Sequence, residues 1–426
     1  PLTAFKIRNF AGGPMNNTVQ TNFRAEAGKN VCTPTGQQIR LLSKISAGGE
    51  GEIFQTDSGM VAKIYHPQNL KQETIEKLKL MLSQKLNIPG VCWPTELLLD
   101  QRSQVIGYLM PKAGGKTLQH SVFSKPMLLQ NFPTWKRSDL VTLALSCLKR
   151  IKRLHDKGIL LGDINPLNFL VKSPEEVWLV DTDSYQIGNY CCPVGTVNFT
   201  PPELQGRDFK TFLRTPQHEY FAVATLAFMI LLPGKPPYAH CGGGTPGENI
   251  AKMEFSYPCG EKSNGKAPDG PWRYIWSNLS YKMKETFYKA FRENRRFTVD
   301  ELGEQLYLYK IELEKGFHSN ELFPEHFKML DPVTTVCGKC RKQTRTERKR
   351  LEELTSKGKS VLCPACMLSI KLNKNARPAT VAISNHNNHC QLAAPVPAPA
   401  HQIDLDDDPS DNMVTLAIDF ISNLFS

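Results

Sequence analysis

The feature that most constrains this chain is a carboxylate and a carboxamide five positions apart in one loop. They are Asp163 and Asn168 in Leu161-Gly162-Asp163-Ile164-Asn165-Pro166-Leu167-Asn168. An Asn-Pro step is a turn signal and the preceding run is apolar, so both polar side chains leave the same turn. Downstream, Val177-Trp178-Leu179-Val180 reads as a β-strand that delivers a second carboxylate, Asp181. In isolation such a spacing is an ordinary turn between strands. The order of the segments on either side gives it a further meaning.

A chain of 426 residues that is 40% apolar can bury a sizeable core, as two domains or as one large domain with appendages. Its net charge of +11 favours acidic partners: nucleotide, nucleic acid, an acidic protein or an anionic membrane surface. Residues 1–40 hold no sustained apolar run of the secretory kind. The longest apolar run, 221–232, is too short to span a bilayer and reads as a buried helix. The twelve cysteines are scattered except for two C-x-x-C pairs, which suits a reducing compartment with a metal site better than a disulfide framework. A cytoplasmic protein without a membrane span is expected.

Residues 1–35 are rich in Asn, Gly, Thr and Ala without periodicity and read as a loosely ordered extension. Arg40-Leu41-Leu42-Ser43-Lys44-Ile45 reads as a strand. It runs into Ser46-Ala47-Gly48-Gly49-Glu50-Gly51, a turn whose glycines let the backbone pass close to another group. The next strand, Gly59-Met60-Val61-Ala62-Lys63-Ile64-Tyr65, sets a lysine among apolar residues. Residues 73–86 read as a helix with Ile75, Leu78, Leu82 and Leu86 on one face. Residues 93–99 and 105–110 form a hairpin that ends at Pro111-Lys112-Ala113-Gly114-Gly115. The clearest helix is 138–157, capped by Ser138, striped by Leu140, Leu143, Cys147, Ile151 and Leu154, and stopped by Gly158. It leads into the Asp163 loop. Gly195-Thr196-Val197-Asn198-Phe199-Thr200-Pro201-Pro202-Glu203 follows Asp181, then an apolar helix opened by Glu219, then Arg295-Arg296-Phe297-Thr298.

In that order, these segments resemble a eukaryotic-like Ser/Thr protein kinase over residues 36–315. Gly-Gly-Glu-Gly, Gly-Tyr-Leu-Met-Pro and Asp-Thr-Asp-Ser-Tyr look like the divergent bacterial kinases of tellurite-resistance-type gene clusters. Those kinases are encoded beside a metal-dependent protein phosphatase and a von Willebrand factor A adaptor. The resemblance implies an α+β, two-lobed protein-kinase-like fold, with an N-lobe at 36–112 and a C-lobe at 113–325. It implies ATP and Mg²⁺, with Asp163 as base and Asn168 and Asp181 as magnesium ligands. Lys63 would hold the α/β-phosphates and pair with an acid of the following helix, Glu76 in preference to Glu73. Gly48 and Gly51 would pass over the phosphates, and Ile53 and Ala62 would line the nucleotide pocket. The Tyr108 carbonyl and the Met110 N–H would read the adenine, with Gly107 leaving a roomy back pocket. Glu203 would pair with Arg296.

The departures are as informative. Leu161-Gly162 stand where the family has His-Arg, so a phosphorylated activation segment lacks its usual anchor. Asn165 replaces the lysine that contacts the γ-phosphate. Thr182-Asp183 replace Phe-Gly after Asp181, and Asp183 could bind a metal or simply solvate the loop.

Cys337, Cys340, Cys363 and Cys366 form two C-x-x-C pairs with 22 residues between them, a spacing that fits a structural Zn²⁺ site of the zinc-ribbon type at 332–376. The basic run 341–350 between the pairs has no interleaved aromatics for stacking on bases, which favours protein docking over nucleic acid. A Pro/Ala and acidic linker at 377–411 and a short amphipathic helix at 412–426 complete the chain. The leading expectation is a protein kinase acting on Ser or Thr of a protein substrate, with the zinc module as a docking element. The competing readings are a nucleotide-binding pseudokinase scaffold that recruits a phosphatase and an adaptor, and a nucleic-acid-binding zinc protein.

Overall fold

The computed structural model describes residues 21–260, 265–329, 331–363, 366, 367 and 370. The described chain begins with a closed six-stranded barrel. Its strands are β1 (Asn30–Cys32), β2 (Gln38–Ala47), β3 (Gly51–Thr56), β4 (Val61–Tyr65), β5 (Glu96–Leu99) and β6 (Val105–Met110), in the order β1-β2-β3-β4-β6-β5. Cys32 opposite Leu99 closes the ring. β1 lies inside the stretch read from sequence as a loose extension. Val31 is the reason: it is buried in the barrel with Ile39, Leu41 and Phe54, and a strand of three residues is too short to show a period.

Side chains alternate across β4. Ala62 and Ile64 point into the barrel, while Val61 and Tyr65 join the main core on the opposite face. Helix α1 (Gln72–Ser83) contributes Ile75, Leu78 and Met81 to that same core.

The chain then enters a mainly helical body. A small sheet of β7 (Lys116–Thr117), β8 (Phe169–Val171) and β9 (Val177–Leu179) sits among α2 (Leu118–Ser121), α3 (Lys125–Asn131), α4 (Arg137–His155), α5 (Pro216–Leu231), α6 (Pro246–Ala251), α7 (Trp272–Asn278), α8 (Tyr281–Arg292) and α9 (Val299–Glu314). Helix α4 begins one residue before the predicted start. The Asp139 carboxylate accepts the Lys136 N–H at 2.7 Å, and Ser138 N–H donates instead to Asn320 Oδ1, so Ser138 is not the cap. Helix α5 is buried on nearly all sides, with Phe228 edge-on to Phe255, Phe287 and Phe291. The fully buried Arg137 donates to the carbonyls of Leu231, Glu321 and Leu322, tying the start of α4 to the end of α5.

A two-stranded sheet, β10 (Pro332–Val336) and β11 (Gln343–Glu347), with α10 (Arg348–Ser356), carries the cysteine pairs. The predicted linker at 377–411 and helix at 412–426 lie outside the described residues. Among the described residues no helix is long and apolar enough to cross a membrane.

Candidate active site

The site forms where β4 meets the turn after β9. Lys63 is 6% exposed, and its ammonium donates to Asp183 Oδ1 at 2.8 Å and Oδ2 at 2.7 Å. It also reaches Asp181 Oδ1 at 2.9 Å and, at 3.3 Å, Glu50 on the glycine turn. Burial alone would lower the Lys63 pKa, but Asp183, then Asp181 and Glu50, outweigh it and hold the ammonium above the ordinary lysine value. Asp183 is the mirror case. Burial would raise its pKa, and the Lys63 charge with the hydrogen bonds from Lys63, Tyr65 and Tyr108 holds the carboxyl below the usual range.

Two phenols complete this cluster. Tyr65 Oη donates to Asp183 Oδ2 at 2.5 Å and Tyr108 Oη donates to Asp183 Oδ1 at 2.8 Å. Neither phenol role was read from the sequence, although a signal was present: Tyr65 is two residues beyond Lys63 in a strand, so it shares a face with it. Tyr108 lies opposite Lys63 in the β4/β6 register.

Several expectations are corrected here. Glu76 does not meet Lys63. Helix α1 turns Ile75, Lys77, Leu78 and Met81 inward, which leaves Glu73 and Glu76 exposed, and Glu76 accepts from Gln72 at 3.3 Å. Ala62 is in the barrel core, because strand alternation puts Val61 rather than Ala62 on the Lys63 face. Tyr108 is paired with Lys63 on one side and Leu97 on the other, so its backbone belongs to the sheet and its phenol to the site. Gly107 opens no pocket: a Cβ there would fall on the Lys63 carbonyl, and the absent side chain is what lets β4 and β6 approach. Met110 pairs with Val61 at the strand end. Asp183, 4% exposed at its side chain, does not solvate the loop.

Gly48, Gly51 and Ile53 surround the same place. Gly48 N–H donates to the Gly51 carbonyl at 2.9 Å, and a Cβ on Gly51 would collide with the Ile64 carbonyl. The turn is held from behind by two residues the sequence did not single out: His66 Nε2 meets the Gly48 carbonyl at 3.0 Å and Asn69 Nδ2 donates to the Gly49 carbonyl at 2.6 Å. Ile53 stands opposite Lys63 in the ladder.

Asp181 adopts the left-handed conformation, with φ 60°, at the head of the turn Thr182–Ser184. The Val180 N–H just before it donates to the Asn168 carbonyl at 3.0 Å, which brings Asn168 beside Asp181. Asp163 shares the loop with Asn168, and its Oδ1 accepts from the Thr196 hydroxyl at 2.9 Å. The loop is fixed from beneath by the buried Glu219, which accepts the N–H groups of Leu161 at 2.9 Å and Gly162 at 2.7 Å and also meets His155 Nε2 at 2.7 Å. Arg296 donates to both oxygens of Glu203, at 3.0 and 2.8 Å. A separate cleft of about 370 Å³, lined by residues such as His155, Arg214, Tyr220 and Asp300, holds none of the candidate residues.

At the other end of the chain, the sulfurs of Cys337, Cys340, Cys363 and Cys366 all lie within 4.8 Å of one another, with Cys340 and Cys363 at 3.6 Å. A tetrahedral Zn–S₄ centre with bonds of about 2.3 Å spaces its sulfurs by about 3.8 Å. Cys363 N–H donates to Cys337 Sγ at 3.2 Å. The Cys337 thiol is drawn down to about 6, first by the Cys340 backbone and then by that of Cys363. The Cys366 thiol is pushed up to about 12, first by its hydrogen bond with Cys363. A thiolate supported by N–H donors among crowded sulfurs is a donor set that fits a soft dication.

No protein-family model matches the chain. Over 279 residues, 62% of its length, it is 32% identical to the protein kinase YegI of Escherichia coli K12, of which it covers 43%. It is 31% identical over 277 residues to the protein of the same name in Escherichia coli O157:H7, with the same coverage of both chains. A probable serine/threonine-protein kinase of Dictyostelium discoideum is 25% identical over 182 residues, 39% of this chain and 27% of that one. The chain thus spans less than half the length of the curated relatives it matches, and in sequence it is similar to protein kinases.

Proposed function

We propose that residues 36–325 form a two-lobed protein kinase domain, with a boundary near 112, that transfers the γ-phosphoryl group of ATP to Ser or Thr of a protein substrate. The observation that carries this reading is the junction of Lys63 from the barrel with Asp181 from the body, beside a loop that holds Asp163 and Asn168. Phosphoryl transfer needs little covalent work from the protein and much positioning and charge. Asp163 accepts the proton of the attacking hydroxyl, and the Thr196 hydroxyl on its Oδ1 orients the carboxylate for that task. Asn168 and Asp181 offer the hard oxygen donors that would hold Mg²⁺, which neutralises phosphate charge when bound. Lys63 directs two N–H groups at the Asp183 oxygens and keeps the third for phosphate oxygens, where Asp181 and Glu50 now sit. Beyond β6 the backbone of 111–114 is the stretch we assign to the adenine edge.

The four cysteines would hold a structural Zn²⁺, and the module would dock a protein through its basic residues. The likeness to tellurite-resistance-type kinases suggests a von Willebrand A adaptor and a metal-dependent phosphatase as partners, in the cytoplasm. A second reading, a nucleotide-binding scaffold, is favoured by Asn165. Its Oδ1 accepts the Leu167 N–H at 3.0 Å, so this residue closes a turn where a transferring kinase places a cation.

Transfer of labelled γ-phosphate to a generic Ser/Thr protein substrate, by the full chain and by Asp163→Ala, separates the two. The kinase reading expects transfer by the wild type and none above background in the variant, with nucleotide affinity retained. Equal incorporation by both would remove the assignment of Asp163. Nucleotide binding without transfer by either would favour the scaffold.

A further inference from the structure

We infer that Asp183 is the positioning partner of Lys63, and that helix α1 therefore carries no acid needed to hold the lysine. This rests on the reading of Lys63 as the phosphate-holding lysine. A carboxylate offers about four lone-pair positions. Asp183 uses its Oδ1 for Lys63 and Tyr108 and its Oδ2 for Lys63 and Tyr65. Its acceptor capacity is filled, so it has nothing left for a metal ion, although Glu50, Asp181 and Asp183 bring carboxylate oxygens within 4.8 Å of one another.

The groups that hold Asp183 come from three directions. Lys63 and Tyr65 are on β4 and Tyr108 is on β6. The turn that carries Asp183 is closed by the Tyr185 N–H, which donates to the Thr182 carbonyl at 3.1 Å, and it is pinned to the segment that leads into β5, because the buried Thr182 hydroxyl donates to the Cys92 carbonyl at 2.8 Å. Barrel and body are thus joined through Lys63 and Asp183, from strand to turn. Helix α1 presents a buried cation, Lys77, toward the Asp183 charge, and its acids Glu73 and Glu76 face water. A swing of α1 would leave every hydrogen bond of the Lys63–Asp183 pair unbroken.

The test uses the full chain as wild type, Asp183→Asn, Tyr108→Phe and Glu76→Ala. Two readouts are taken: the rate at which a small amine-acylating reagent labels Lys63 at one fixed pH, located by peptide mapping, and the kinetics of γ-phosphate transfer at several Mg²⁺ concentrations. Removing the Asp183 carboxylate should release the lysine and speed its labelling, and Glu76→Ala should leave the rate where it is. Transfer should fall about a hundredfold in Asp183→Asn, the scale on which small misplacement of a positioned group costs rate. That loss should persist at every Mg²⁺ concentration, whereas Glu76→Ala should stay within about twofold of wild type, as expected for an exposed substitution away from the site. Should Asp183→Asn fail to fold, Tyr108→Phe, which removes one hydroxyl and keeps the charge, should still lower transfer. Recovery of Asp183→Asn at high Mg²⁺ would make Asp183 a metal ligand and overturn the inference. A rise in labelling rate and a loss of transfer in Glu76→Ala as large as in Asp183→Asn would return the pairing to α1 and overturn it as well. A wild type without transfer would count against the kinase reading, and the labelling rates would then decide the inference without it.

Discussion

At the scale of single residues, the Lys63–Asp183 pair sets a pH window. Asp183 has its pKa held down in the folded state, so its contribution to stability is complete above the unfolded value of about 4 and is lost as pH falls through the lowered folded value. Lys63 has its pKa held up, so its contribution is complete below the unfolded value of about 10.4 and is lost as pH rises through the folded one. Wild-type stability contributed by this pair should therefore be flat between about pH 5 and 9, and Asp183→Asn should show a shallower loss on the acid side, as measured by urea unfolding across pH. Tyr108→Phe should cost about 1.5–3 kcal/mol, the range for a hydrogen bond to a charged group, seen as a lower denaturation midpoint with unchanged slope. Glu50 presents a different case, because it is 61% exposed at the side chain and sits on the ammonium where phosphate would bind. Glu50→Gln should lower the KM for ATP several-fold, and more at low ionic strength, since screening weakens exposed charges. Lys63, Asp163, Asn168 and Asp181 could be singled out from the sequence by order and spacing. Tyr108 and Asp183 are 75 positions apart, and their contact depends on register and side-chain direction that no local pattern reports. Glu76 was misplaced because a helix fixes which residues share a face, and the inward face here runs through Lys77.

At the scale of elements, the segment after Asp181 is held by an arginine that a motif search passes over. Arg214 is buried, and its guanidinium donates to the carbonyls of Cys192 at 3.3 Å and Val194 at 2.5 Å, while its backbone N–H donates to Gln186 Oε1 at 2.7 Å. Gly162 makes room for it. With φ 74°, it stands where the resemblance would carry arginine, and a Cβ there would meet Cys192 and the Arg214 guanidinium. An arginine bonded to carbonyls needs no phosphate to hold the segment. Arg214→Ala should expose the 190–200 region to limited proteolysis, with cleavage sites mapped by mass spectrometry. Phosphatase treatment of the wild type should leave both its cleavage pattern and its transfer rate unchanged; a new cut after dephosphorylation would show that a phosphate carries the anchoring instead. The elements themselves were legible where they are long. The stripe of α4 and the apolar run of α5 exceed a dozen residues and carry their own period. β1 has three residues and is decided by barrel closure, a long-range effect.

At the scale of the whole molecule, the described chain carries two sites of opposite chemistry: oxygen donors around Lys63 and sulfur donors at 337–366. The sulfur site could be read from spacing alone, because two C-x-x-C pairs need only local turns to aim their thiols. What the spacing does not report is how little else, among the described residues, holds that segment. Helix α10 buries no residue, and β10 and β11 alternate mostly between half-buried and exposed positions. Under the zinc proposal, a segment with so thin an apolar core among its described residues would depend on the metal for its fold, and structural zinc sites bind with about 10–16 kcal/mol that is also folding energy. One Zn²⁺ per chain is therefore expected by elemental analysis, and it should be lost in the double variant Cys337→Ser, Cys340→Ser. Hydrogen exchange then gives the sharper test. Chelation should abolish amide protection at 332–347 while leaving protection of β4 and β9 unchanged, because the Lys63–Asp183 pair is built from the barrel and the body alone. Full protection of 332–347 in a preparation shown to be free of metal would mean that the hairpin folds without its ion, and the zinc assignment would fall.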